Sequence, residues 1–97
     1  MRTGLVDDRR FAEARAERLA ERGAGDALIR HDLLRAGVDA DLVEHALTAL
    51  ESERERAERI VARRGSGPKT ARYLSGKGFA EDVVHAVVAR AVDDALG

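Results

Sequence analysis

The sequence is expected to fold as an all-α protein built from two tandem three-helix repeats, residues 1–50 and 51–97, with six short helices in all. The first reason is that the chain nearly repeats itself. Gly37-Val38-Asp39-Ala40-Asp41-Leu42-Val43-Glu44-His45-Ala46-Leu47 returns as Gly78-Phe79-Ala80-Glu81-Asp82-Val83-Val84-His85-Ala86-Val87-Val88, 41 residues on. Upstream, Arg22-Gly23-Ala24-Gly25 returns as Arg64-Gly65-Ser66-Gly67 at a spacing of 42. A period of this length marks stacked supersecondary units. The second reason is periodicity. Leu42, Val43, Ala46, Leu47 and Leu50 form one apolar stripe, and Val83, Val84, Val87, Val88 and Ala91 form its counterpart. Both follow the spacing of an amphipathic helix, and no segment alternates apolar and polar over six residues as a strand would. The third is composition: with Phe11, Phe79 and Tyr73 as the only aromatics, the core must come from Leu, Val, Ile and Ala, which favours helices.

Each helix has a start and a stop. Asp7 caps the first, with Val6 stapled to Phe11, and Gly23 closes it in a left-handed conformation. The second runs from about Asp26 to Ala36 and ends at Gly37. Asp39 caps the third, with Val38 stapled to Val43. Ser52-Glu53-Arg54-Glu55 reads as a capping box for the fourth, which ends at Gly65. Pro68 suits the first turn of the fifth, where its missing N–H has no helical partner to lose, and Gly76 and Gly78 end that helix. The sixth spans about Glu81 to Ala95, with Phe79 stapled to Val84. Residues 50–53 set the angle between repeats, and the third helix running on into the fourth stays open there.

Two charges interrupt the apolar faces. Arg15 lies between Phe11 and Leu19 at four-residue spacing, and Asp32 sits among Leu28, Ile29, Leu33 and Ala36. An unpaired buried charge costs several kcal/mol. Two arrangements avoid that cost: an Arg15–Asp32 pair between helices one and two, or both groups at the wet edge of the seam.

Bulk properties narrow the function classes. The chain has 97 residues, enough for one small domain or two very small ones, and its formal net charge is −1, so no global field draws it to nucleic acid. It has no cysteine, which excludes disulfides and thiolate metal sites and suits a reducing cytoplasm. No apolar stretch approaches the ~20 residues of a membrane span, and no signal-peptide core is evident. His31, His45 and His85 have no metal-ligand spacing, and Gly23-x-Gly25 and Gly65-x-Gly67 follow helices rather than strands. Neither an active site nor a cofactor site is expected, and the chain is expected to be a monomer.

The charge distribution is more informative than the total. Residues 54–77 hold eight basic residues against Glu55 and Glu58. Arg56, Arg59 and Arg63 fall on one flank of the fourth helix, and Arg64, Lys69, Arg72 and Lys77 continue the positive surface. Arg30 and Arg35 occupy comparable places in the first repeat. Such groups engage acidic protein surface or DNA phosphate, although a charged helix face is often only solvated. Tyr73, beside Arg72, reads either as a core aromatic with its hydroxyl at the surface or as a base-stacking group.

Asp7-Asp8-Arg9-Arg10-Phe11-Ala12, Gly23-x-Gly25 and Leu28-Ile29-Arg30-His31-Asp32-Leu33 with Gly37-Val38-Asp39 resemble the middle repeat of the RecX family. Arg72-Tyr73-Leu74-Ser75-Gly76-Lys77-Gly78-Phe79 with Asp82-Val83-Val84 is similar to its C-terminal repeat. The resemblance covers roughly Leu5 to Val92. It implies tandem three-helix units and a non-enzymatic regulator of the RecA recombinase. Such a regulator lies in the groove of the RecA–single-stranded-DNA filament, where it limits filament growth, ATP hydrolysis and strand exchange in recombination, DNA repair and the SOS response. Single-stranded DNA is then an indirect or weak partner. The family's additional N-terminal unit has no counterpart in the sequence, and Arg15 and Ala24 stand where the family often places aromatics.

Two other classes remain. A helix-turn-helix DNA-binding module is disfavoured because Asp39, Asp41 and Glu44, or Glu81 and Asp82, would face phosphate. A ubiquitin-associated-type interaction module shares the Gly-Phe turn but not the Gly-x-Gly entry or the basic fourth and fifth helices.

Overall fold

A computed structural model describes residues 8–96, with side-chain surroundings for residues 8–93. The expected Asp7 cap and Val6 staple lie outside the described residues. Within them the fold is all-α: α1 (Asp8–Glu21), α2 (Asp26–Arg35), α3 (Ala40–Thr48), α4 (Glu53–Arg64), α5 (Pro68–Gly76) and α6 (Glu81–Leu96). Helices α1–α3 enclose one core, centred on Ala12, Ala16, Ile29, Leu33, Val43 and Ala46. Helices α4–α6 enclose a second, centred on Ala57, Ile60, Val61, Leu74, Val84 and Val87. The molecule is a rod of 54 × 19 × 18 Å.

The helix ends follow the punctuation in the sequence, with two corrections. Gly23, Gly37 and Gly78 adopt positive φ near +90°, and the residue after each donates back to a carbonyl five residues earlier: Ala24 to Leu19, Val38 to Leu33 and Phe79 to Leu74. These are glycine-dependent helix closures. Ser52 Oγ accepts the Glu55 N–H at 3.1 Å and donates to the Glu55 carboxylate, so the α4 cap forms. Asp39 stands at the start of α3 in extended conformation, but its side chain makes no capping bond. Gly76 does not terminate α5: it is the last helical residue, Lys77 follows as the cap, and Gly78 makes the reversal. The third helix ends at Thr48 and does not continue into the fourth.

Arg15 and Asp32 do meet, through two hydrogen bonds of 2.5 and 3.2 Å between α1 and α2. Their side chains are also 39% and 29% exposed, so the pair sits at the wet edge of the seam. The two arrangements considered for these charges are therefore one.

The joint between the repeats is made of backbone and polar side chains. Gly25 donates to the Lys77 carbonyl at 2.7 Å and Ala27 to the Gly78 carbonyl at 3.1 Å. The turn before α2 thus lies directly on the turn before α6. A Cβ on Gly25 would fall 2.5 Å from backbone atoms of Gly78 and Phe79, and one on Gly78 2.6 Å from the Leu28 nitrogen. Only glycine allows that approach. Glu53 bridges the same turns, accepting from the Asp26 N–H at 2.7 Å and the Ala80 N–H at 3.4 Å.

Candidate partner-binding surface

Arg56 belongs to this joint and not to the expected surface. It is only 8% exposed, donating to the Ala24 carbonyl at 2.9 Å, to the Glu51 carbonyl at 2.9 Å and to the Asp26 carboxylate. Desolvating a guanidinium is costly, and these three acceptors from both repeats offset that cost. Arg56 is therefore corrected from a contact residue to a bond between repeats.

The other expected basic residues divide by partner. Arg30 makes two bonds with Glu44, at 2.7 and 3.2 Å, and Arg59 one with Glu51 at 2.6 Å. The Arg30 bond holds the Glu44 carboxyl below the usual carboxylate range and raises Arg30 in turn. Arg59 is exposed and Arg30 half-buried, and both are locally neutralised. Arg63, Lys69 and Arg72 are exposed, and among the described residues none has a carboxylate partner, whereas the exposed Arg35 lies in the field of the Asp32 carboxylate. Arg64 stacks over the Tyr73 ring at 3.9 Å, and the Lys77 ammonium lies 5.9 Å from the same ring. Tyr73 is half-buried, packs against the second core and points its hydroxyl toward Gly23. Five of the nine expected residues, Arg63, Arg64, Lys69, Arg72 and Lys77, thus remain on the second repeat outside the joint and outside any ion pair among the described residues.

Among the described residues no three His, Asp or Glu side chains are placed to hold a metal, and no helix is long and apolar enough to cross a membrane. The helices that would read a DNA groove open on acids, Asp41 in α3 and Glu81 and Asp82 in α6.

Residues 7–47 match the family model described as RecX, second three-helix domain. Regulatory protein RecX of Leptothrix cholodnii is 38% identical over 88% of the chain, and that of Halorhodospira halophila 31% identical over 94%. The chain belongs to the RecX family. It spans 59% and 63% of the lengths of those two relatives, and no solved structure gives a significant match. Within this RecX-family chain the residues that sequence reasoning missed are those of the joint, Asp26 and Glu53, together with Arg22. A signal for the joint was present. At a register of 41 residues Arg56 answers to Arg15, but Asp32 is answered by Tyr73, leaving Arg56 without an acid inside its own repeat.

Proposed function

We propose that the protein is a non-enzymatic regulator of the RecA recombinase that lies along the RecA–single-stranded-DNA filament as a monomer. There it limits filament growth and ATP hydrolysis in recombination, repair and the SOS response. The observation carrying this reading is that the second repeat of this rod-shaped RecX-family chain exposes Arg63, Lys69 and Arg72 with no carboxylate partner among the described residues. Guanidinium and ammonium groups already neutralised by neighbours have little charge to offer a partner, whereas Arg63, Lys69 and Arg72 keep theirs. A rod 54 Å long and under 20 Å wide has the proportions to follow a groove. The contact is through charge, and no cofactor takes part.

The test is RecA-dependent ATP hydrolysis on single-stranded DNA with the protein titrated in. Inhibition that saturates, and that weakens as salt rises, is the expected outcome. Unchanged hydrolysis at saturating protein would leave the family likeness as one of fold alone.

A further inference from the structure

The seam between the repeats carries a second positive feature, on the side where α1 and α4 end together. One concavity of about 340 Å³ is walled by Arg22 and Gly23 from the first repeat and by Arg63, Arg64 and Tyr73 from the second. A neighbouring concavity of about 250 Å³ shares Gly23, Ile60 and Arg63 and extends toward Arg59. The two run together as one groove across the joint. Arg22, Arg63 and Arg64 are exposed, and none has a carboxylate partner among the described residues. Glu21 is the acid in both walls, and it makes no ion pair with them.

We propose that this groove binds the phosphodiester backbone of single-stranded nucleic acid, with Arg22, Arg63 and Arg64 on phosphate and Tyr73 as its aromatic wall. The inference rests on the filament reading and adds the component that is touched. The cations are all arginine, whose planar fork pairs with phosphate and carboxylate alike, and they lie along a groove, which suits a charged polymer. One feature favours a nucleic-acid strand over an acidic peptide. An aromatic ring set in a basic groove is the usual arrangement for single strands. Because Arg22 comes from one repeat and Arg64 from the other, the groove exists only while the joint is closed.

Fluorescence anisotropy of a labelled oligothymidylate with the protein alone, without recombinase, tests this directly. Arg22→Gln and Arg64→Gln should each weaken binding about tenfold, the loss expected for a bond to a charged group. Each should also lower the salt slope by about 0.7, the value for one phosphate contact on a single strand. Glu21→Gln should tighten binding. Circular dichroism should stay unchanged, since all three side chains are exposed. Binding unaffected by Arg22→Gln, no oligothymidylate binding at low salt, or preference for a poly-glutamate competitor would each overturn the proposal. ATPase inhibition measured in parallel separates the two readings. Inhibition that persists without oligothymidylate binding removes this groove and leaves the filament reading standing.

Discussion

Arg15 and Arg56 occupy the same register in the two repeats, yet they do different work. Arg15 reaches Asp32 within its own repeat and stays partly in water. The residue answering to Asp32 is Tyr73, which has no charge to offer. Arg56 instead crosses to Asp26 and the Ala24 carbonyl of the first repeat, where it is buried. Ala12 and Glu53 differ in the same way: the alanine fills a core, while the glutamate bridges Asp26 and Ala80 across the joint. By contrast Leu33 and Leu74, Val43 and Val84, and Ala46 and Val87 are matched and buried in both repeats. Shared apolar positions build each unit. Unshared polar positions join the units.

That contrast can be broken at several points. Leu33→Ala and Leu74→Ala should cost the most and should cost alike, about 3 kcal/mol each in urea unfolding, because both side chains are wholly buried at equivalent sites. A large inequality would mean that the two cores are not equivalent. Arg56→Met comes next, at about 2 kcal/mol, because it leaves the Ala24 and Glu51 carbonyls and the Asp26 carboxylate without their partner. Arg15→Met should cost less than about 1 kcal/mol, as expected for a half-exposed pair. Small-angle scattering should show the Arg56 variant losing its fixed rod shape while the Arg15 variant keeps it. Equal costs and equal shapes would erase the distinction drawn between these residues.

The smallest effect is one of pH. The Arg15 bond holds the Asp32 carboxyl below its ordinary value of 3.8. A depressed folded value means that the pair's contribution is full above the ordinary value and fades as pH falls through the lower one. Wild type should therefore lose stability relative to Asp32→Asn only on the acid limb, below about pH 4. Parallel curves throughout would show that the pair adds nothing.

Most of the fold was legible because it is written in local signals. Glycines with positive φ close α1, α2, α4 and α5, and the matched stripes fill the two cores, as the doubled pattern requires. Asp39 misled because its extended backbone places it correctly while its carboxylate makes no cap bond. The surface was legible only in part. Counting charges along 54–77 finds the positive stretch, but exposure and pairing are tertiary properties. Helical position alone put Arg56 beside Arg59 and Arg63, and only the docking of Gly25 onto Gly78 shows why its guanidinium turns inward. Arg22 was passed over for the same reason: it acquires its neighbours from the other repeat.

The measurement that most directly tests the division of labour is inhibition of RecA-dependent ATP hydrolysis by two charge-neutralised variants. One carries Arg63→Gln, Lys69→Gln and Arg72→Gln in the second repeat; the other carries Arg18→Gln and Arg35→Gln in the first. Every substituted residue is exposed, so both should fold as wild type. The second-repeat variant should lose inhibition at least tenfold, at about 0.5 kcal/mol or more per charge, while the first-repeat variant stays within about twofold. Equal losses, or a larger loss from the first repeat, would contradict the assignment of the contact surface to the second.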